Sequence, residues 1–139
     1  MAPLLETLDA LALGLAVRKP QDNSLASLAP KISKEQARIN WHLSACEIER
    51  AVRAYNPWPI AYTHFKDHVI RVHQAQVDLR EGNAPPGTIL QITPSGMLVA
   101  AKKNCLKIQR IQFPASTVVS IADCLNAGRL QGMEAQVFS

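Results

Sequence analysis

The chain has 139 residues, of which 47% are hydrophobic and 19% are charged, and its formal net charge is +4. This length suits one domain with an appendage and excludes a second full domain, and no apolar run approaches the ~20 residues of a membrane span. Three cysteines without Cys-x-x-Cys spacing indicate neither a disulfide framework nor a zinc site, which is typical of a reducing, cytoplasmic compartment.

The first predicted element is a short amphipathic helix. Leu4, Leu8 and Leu11 recur at helical spacing, Leu15 follows them, and Gly14 lies near the expected end. Such a helix cannot bury its apolar stripe alone. We therefore expect it to pack on the rest of the chain, on another copy, or on a further domain.

A polar segment, residues 18–37, follows this helix and lacks sustained apolar periodicity, which predicts a linker. Apart from Arg18 and Lys19 at its start, its basic residues gather toward the end, where Lys31 and Lys34 precede Arg38. Basic residues outnumber acidic ones after residue 30, and such a surplus favours polyanionic partners. The cluster is open to two interpretations, a solvated charge cluster or a set of phosphate contacts.

A second helix is predicted to begin at Ser44. Ser44 and Glu47 have the spacing of a capping box, in which each side chain accepts a hydrogen bond from the other residue's amide. One apolar stripe follows at positions i, i+3, i+4 and i+7, comprising Ile48, Ala51, Val52 and Tyr55. Pro57 and Pro59 then end the helix, since each disfavours helix for the residue before it.

After residue 59 the pattern becomes extended. Five candidate strands separated by turn signals cover residues 60–65, 68–77, 88–93, 97–101 and 105–113. The alternation shifts after Arg110, which predicts a bulge or bend, and Ser120 caps a final short helix that ends near Gly128. We predict a mainly β fold with flanking helices, arranged as an OB-like five-stranded β-barrel, with an open five-stranded sheet as the alternative.

Signatures of catalysis are missing from the sequence. The four histidines have no partner at a helical metal-ligand spacing, and no nucleophile elbow, catalytic cysteine signature or glycine-rich phosphate loop occurs. We therefore predict a binding module with no catalytic or metal-ligating residues. For Trp41 and Trp58, packing in the core or at a seam is favoured over base stacking.

Several runs of residues resemble the C-terminal part of methionyl-tRNA formyltransferases. The opening run is Lys-Ile-Ser-Lys-Glu-Gln-Ala-Arg-Ile-Asn-Trp at residues 31–41, followed by Asn-Pro-Trp-Pro at 56–59. Further matches are Pro-Gly-Thr-Ile at 86–89, Gly-Met-Leu-Val-Ala at 96–100 and Leu-Lys-Ile at 106–108. Residues 4–8 are similar to the last helix of the family's catalytic domain, so the likeness covers nearly the whole chain.

This resemblance implies a division of the chain. Residues 1–17 would be the last helix of an N-terminal catalytic domain that this chain lacks, residues 18–37 an interdomain linker, and residues 38–139 an OB-like C-terminal domain. In the family, the catalytic domain transfers a formyl group from 10-formyltetrahydrofolate to methionyl initiator tRNA for translation initiation. No segment here resembles its catalytic motif, so we expect the chain alone to be inactive and to bind no cofactor itself.

The resemblance also implies partners and site residues. The expected partners are initiator tRNA and the catalytic domain of the same protein. We expect the chain to be monomeric and not to associate with a membrane. The tRNA-binding residues carried over by position are Lys31 and Lys34 in the linker, Arg38 directly after it, and then Arg50, Arg53 and Lys107. Three departures from the family are Asn40, where Asp is usual, residues 115–117, where Gly with basic residues is common, and an ending at residues 128–132 that is more compact than usual.

Two other functions remain open at this point. Related C-terminal domains occur in 10-formyltetrahydrofolate dehydrogenases and UDP-sugar formyltransferases, where the domain would be structural and tRNA would not be the substrate. A third possibility is a free-standing interaction module whose N-terminal helix mediates self-association.

Overall fold

The computed structural model describes residues 2–139, with side chains from residue 4 onward. The chain forms two compact units, one ending at Lys31 and the other comprising Ile32–Ser139. The second unit thus begins inside the predicted linker. The assignment of residues 1–17 to a catalytic domain and of residues 18–37 to a linker stays a prediction.

The first unit contains the predicted N-terminal helix, α1 (Ala2–Ala12). Gly14 adopts a φ of +70°, and the amide of Leu15 donates to the carbonyl of Ala10 at 2.8 Å, so the chain leaves the helix in a left-handed turn. The apolar stripe of α1 is exposed to solvent, with Leu4, Leu8 and Leu11 each more than half accessible.

The first α-helix of the second unit is the predicted capped helix, α2 (Ala45–Ala54). The Ser44 hydroxyl accepts from the amide of Glu47, and the Glu47 carboxylate accepts from the amide of Ser44 at 2.9 Å, so the capping box is confirmed. Ile48 and Val52 are buried. After α2, the peptide bonds preceding both prolines of the Asn-Pro-Trp-Pro segment are cis.

Six antiparallel strands and a third helix complete this unit. They are β1 (Tyr62–Phe65), β2 (His68–Asp78), β3 (Ile89–Thr93), β4 (Gly96–Ala100), β5 (Cys105–Gln112), β6 (Val118–Ser120) and α3 (Ile121–Asn126). The strand order is β1-β2-β5-β4-β3, with β6 paired to β5. The predicted mainly β fold with flanking helices is confirmed, and Ser120 caps α3 as expected. The strand count is six rather than five, because β6 is three residues long and too short to show a period.

The sheet ladder does not close into the predicted barrel, since β1 and β3 form its two ends and do not pair within the described residues. Residues 135–139 lie between them instead. Ile89 donates its amide to the carbonyl of Gln136 at 2.8 Å, and Ser139 exchanges backbone hydrogen bonds with His64 at 2.9 and 3.1 Å. The C-terminal segment therefore bridges the gap between the edge strands and covers backbone groups that an open sheet would expose.

A double irregularity interrupts the pairing of β2 with β5. Val72 pairs with Ile111 and Ala75 with Ile108, so His73 and Gln109 drop out of the regular register on either side of the pair Gln74–Arg110. This confirms the bulge predicted from the shift near Arg110. A bulge strengthens the local twist, and here it lies in the two longest strands of the sheet.

The core lies between the sheet, α2, α3 and the C-terminal segment. Trp41 is 4% exposed and stacks on Phe138 with ring centroids 5.7 Å apart, so its predicted packing role is confirmed. Trp58 is not a core residue, because it is 54% exposed, and its predicted packing at a seam stays a prediction. Between residues 2 and 139, no helix is long and apolar enough to cross a bilayer.

Candidate functional site

The three predicted linker cations lie around the start of the second unit. Lys31 is the last residue of the first unit, whereas Lys34 immediately precedes a single turn of 3-10 helix, Glu35–Ala37. Arg38 follows that turn and forms a parallel bridge with Tyr62 of β1, where the amide of Ile39 donates to the Tyr62 carbonyl at 2.7 Å. All three cations are exposed, and the backbone at Arg38 is held along the sheet.

The two predicted arginines of α2 are exposed on its surface. Arg50 donates from Nε to the carbonyl of Cys46 at 3.2 Å, and Arg53 lies 3.4 Å from the carboxylate of Glu49. The Arg53 side chain is 72% exposed, and an ion pair in that setting contributes roughly 0.2–1 kcal/mol. A phosphate could therefore displace Glu49 from Arg53 at small cost.

Lys107 has a different environment. It lies on β5 between Gln76 of β2 and Leu98 of β4, is half-buried, and its methylenes cover Gly96. Hydrogen bonds from Arg80 lower the pKa of Asp78 to about 2, and the charge of Lys107 adds a smaller effect in the same direction. Within the described residues, Lys107 lines none of the clefts that contain Lys34, Arg38 or Arg53.

Two of the three departures from the family, at Asn40 and at residues 115–117, leave local structure intact. Asn40 accepts a hydrogen bond from the amide of His42 through Oδ1 at 3.0 Å, a turn that an aspartate would make equally well. In the loop at residues 115–117, Ser116 accepts from the Gln112 amide group at 2.7 Å. Neither position places a charge on the surface.

Lys34 lines a surface cleft of about 490 Å³ beside the β1–β2 hairpin. Along β1, Tyr62 and His64 face this cleft while Thr63 between them is buried, as the two-residue period of a strand requires. In the antiparallel register, Tyr62 pairs with Arg71 and His64 pairs with Val69. The hairpin therefore presents four neighbouring side chains on one outward face.

Trp58 forms part of the cleft wall, between Pro57 and Pro59. The loop is held where the amide of Ile60 donates to the carbonyl of Tyr55 at 2.9 Å. We call this feature the Trp58 cleft. Its lining residues are Lys34, Pro57, Trp58, Pro59, Ile60, Tyr62, His64, Val69 and Arg71.

The Trp58 cleft combines aromatic rings with positive charge. The rings of Tyr62 and His64 meet edge to face with centroids 5.6 Å apart, and Lys34 and Arg71 supply two cations. All of the lining residues belong to the described part of the chain, and none of them is acidic. His64 also carries a buried Nδ1 atom with no hydrogen-bond partner among the described residues. Such a site can hold a flat ring next to an anion.

Sequence reasoning missed most of the Trp58 cleft. It named Lys34 but placed no functional role on Tyr62, His64 or Arg71, and it assigned Trp58 to packing. The alternation of residues 62–65 and 68–71 carried the signal, because it sets Tyr62, His64 and Arg71 opposite the buried Thr63 and Ile70. No group of three or more His, Cys, Asp or Glu side chains in residues 2–139 is placed to hold a metal ion.

Curated proteins of known name match most of this chain in sequence. Over 129 residues the chain is 49% identical to proteins named "Methionyl-tRNA formyltransferase" from Legionella pneumophila strains Corby and Philadelphia 1. The match covers 93% of this chain and 41% of each relative, so the chain spans about two-fifths of their length.

Solved structures of HypX from Aquifex aeolicus share this fold. One variant superposes with a TM-score of 0.71 at 18% identity, covering 96% of this chain and 24% of HypX. A second structure, of HypX in complex with tetrahydrofolic acid, gives a TM-score of 0.69 over 96% of this chain and 23% of HypX. At this identity the likeness concerns the fold alone.

The family assignment rests on a separate match. Residues 31–129 match the family described as "Formyl transferase, C-terminal domain". The matched region begins at the first predicted linker cation, Lys31, includes all six strands and ends three residues beyond α3. The chain therefore belongs to the family of formyl transferase C-terminal domains.

Proposed function

We propose that this chain is the tRNA-binding, C-terminal portion of a methionyl-tRNA formyltransferase, the enzyme that formylates initiator methionyl-tRNA for translation initiation. The observation that carries the proposal is the 49% identity over 129 residues to proteins of that name. In this proposal the parent enzyme works in the cytoplasm with 10-formyltetrahydrofolate. Its catalytic domain contacts this chain, which binds no cofactor itself and is monomeric.

The placement of the cations supports a tRNA-binding role. Lys34, Arg38, Arg50 and Arg53 are exposed, and of these four only Arg53 lies within ion-pair distance of a carboxylate in the described part of the chain. Each phosphate contact alone is weak, but several together produce affinity that depends steeply on salt and little on sequence. Discrimination of the initiator tRNA would then rest mainly on the catalytic domain.

The first test is a titration of fluorescently labelled initiator tRNA with this chain at two or more salt concentrations. We expect weak binding at low salt, with the logarithm of the association constant falling linearly as the logarithm of salt concentration rises. Absence of detectable binding at low salt would reject the tRNA role for this chain. It would favour the alternative of a structural domain from a formyltetrahydrofolate or UDP-sugar enzyme.

A paired variant tests the predicted linker contacts. Lys31→Ala combined with Lys34→Ala should lower the salt slope by about 1 to 2, because each phosphate contact contributes roughly 0.7–0.9. A matched control replaces Lys66 and Arg129, two exposed cations outside the predicted set, with Ala. Equal slopes for the paired variant and the unaltered chain would remove Lys31 and Lys34 from the site.

Formyl transfer itself is tested separately. The chain should show no turnover with 10-formyltetrahydrofolate and methionyl initiator tRNA, because no segment of it resembles the catalytic motif of the family. Measurable turnover would overturn the proposed division of labour between the two domains.

A further inference from the structure

We propose that the Trp58 cleft binds one unpaired nucleotide of RNA, with the base against Trp58 and Tyr62 and the phosphate near Lys34 and Arg71. This inference deepens the proposed tRNA-binding function and rests on it. It adds a contact of a different chemical kind, since the predicted linker and helix cations address only the backbone of the RNA.

Exposure of Trp58 is the first observation. An indole that is 54% exposed leaves a large apolar face in water, whereas Trp41 in the same unit is 4% exposed and stacked on Phe138. Tryptophan is highly buried on average, and the exposed Trp58 adjoins Tyr62 and two cations in one cleft, which is the setting of a contact surface. Base stacking on an exposed ring is one way to remove that face from water.

Shape and charge select the occupant. The cleft has a volume of about 490 Å³, which is ample for one nucleotide and lies within the usual range of small-ligand sites. Its lining contains two cations and no carboxylate, so an anionic group is favoured at its edge. A nucleotide combines a flat aromatic base with an attached phosphate, and thus matches both parts of the lining.

The hairpin face is rigid enough to present these groups together. Tyr62 and Arg71 are cross-strand partners in β1 and β2, and the Tyr62 backbone is also held by the amide of Ile39. A phenol and a guanidinium held side by side on a sheet provide a stacking surface and a phosphate contact.

The test uses the whole chain and a short single-stranded RNA, oligouridylate of eight nucleotides, at low salt. Binding is followed by fluorescence anisotropy of the labelled RNA and by quenching of tryptophan emission. We expect Trp58→Ala to raise Kd by about tenfold, as loss of one stacked base does, and to leave the salt slope unchanged. Arg71→Gln should raise Kd and lower the slope by roughly 0.7, the contribution of one phosphate on a single strand.

Trp58→Phe is the conservative control, because it keeps a ring on which a base can stack. Its Kd should stay within about threefold of the unaltered chain, while the emission quenching disappears because only Trp41 remains. Thermal unfolding of all variants should be similar, since Trp58 is exposed. An unchanged Kd for Trp58→Ala, or quenching that persists in Trp58→Phe, would overturn the proposal.

Two further outcomes separate this proposal from the proposed function. Initiator tRNA binding that survives Trp58→Ala but falls with the Lys31 and Lys34 variant would reject the Trp58 cleft and retain the tRNA role. A fully paired RNA duplex should be insensitive to Trp58→Ala, because it offers no unpaired base. An equal loss of affinity for the duplex would also overturn the assignment of the cleft to an unpaired nucleotide.

Discussion

The indole nitrogen of Trp41 donates a hydrogen bond of 3.0 Å to the hydroxyl oxygen of Thr63, and both side chains are buried. The Thr63 hydroxyl in turn donates to the carbonyl of Ser139 at 3.3 Å. These bonds join the segment before α2, strand β1 and the C-terminal segment. They place one polar pair inside an otherwise apolar cluster.

We expect Thr63→Val to lower the free energy of unfolding by about 1–3 kcal/mol, because it keeps the side-chain volume but leaves the Trp41 N–H without a partner. In a Trp41→Phe background the same substitution should cost about 1 kcal/mol less, since no indole N–H remains. Urea unfolding of the four proteins in this cycle measures the difference. Additive costs would show that the bond contributes no coupling.

Ile60 is strained, because its φ of +71° lies in the left-handed region that β-branched residues avoid. Ile60→Gly should therefore be more stable than Ile60→Ala by about 1 kcal/mol, the reverse of the usual order. Ala51→Gly in the interior of α2 is the control and should lower stability by roughly 1 kcal/mol. Thermal unfolding checks both comparisons, and an Ile60→Ala variant more stable than Ile60→Gly would contradict the predicted strain.

Gly87 permits the C-terminal segment to lie against β3. Its φ is +90°, and a Cβ atom there would lie 2.7 Å from the carbonyl oxygen of Phe138. Gly132 has a φ of +70° with nothing near a Cβ atom, so Gly132→Ala provides the strain without the clash. We expect Gly87→Ala to cost about 1–3 kcal/mol more than Gly132→Ala in urea unfolding.

Hydrogen exchange shows which part of the structure Gly87→Ala destabilises. In Gly87→Ala the amides of Phe138, Ser139 and His64 should exchange faster, because their bonds hold the C-terminal segment between the edge strands. Unchanged protection at these three amides would mean that the segment tolerates the added methyl group.

The capping box at the start of α2 predicts a pH dependence. Hydrogen bonds from the side chain and then the backbone of Ser44 hold the pKa of Glu47 below its ordinary value. A lowered folded pKa stabilises the fold at pH above the unfolded value, and that stabilisation is lost as pH falls through the folded pKa. Ser44→Ala should raise the pKa of Glu47, which an NMR titration of the carboxyl carbon would detect.

The same substitution should lower stability at neutral pH by about 1 kcal/mol, as removal of a serine N-cap does. Ser44→Thr is the control, because it keeps a hydroxyl that can accept from the Glu47 amide. A Glu47 pKa that is equal in Ser44→Ala and in the unaltered chain would contradict the assigned cause of the shift.

Local chemistry made much of the second unit predictable. The spacing of Ser44 and Glu47 predicted the start of α2, and the two-residue alternation predicted five of the six strands to within two residues at either end. These features depend on neighbours a few positions away, so they can be read along the chain. The bulge near Arg110 was visible for the same reason, since a break in alternation is itself local.

Contacts between residues that are far apart in the sequence could not be predicted from local patterns. His64 and Ser139 exchange two backbone hydrogen bonds although most of the second unit lies between them in sequence, and nothing local to either residue predicts that pairing. The sheet was consequently expected to close on itself rather than to be bridged by the C-terminal segment.

The candidate site was likewise only partly predictable from the sequence. Residue type and position along the chain predicted exposed cations at Lys34 and Arg38, and both are exposed. Their contact with phosphate stays a prediction. Trp58 looked like a core residue, because its apolar area favours burial and its neighbours are helix-ending prolines. Its exposure follows from packing: Trp41 and Phe138 occupy the core, and the loop after α2 leaves Trp58 beside Arg71 on the hairpin face.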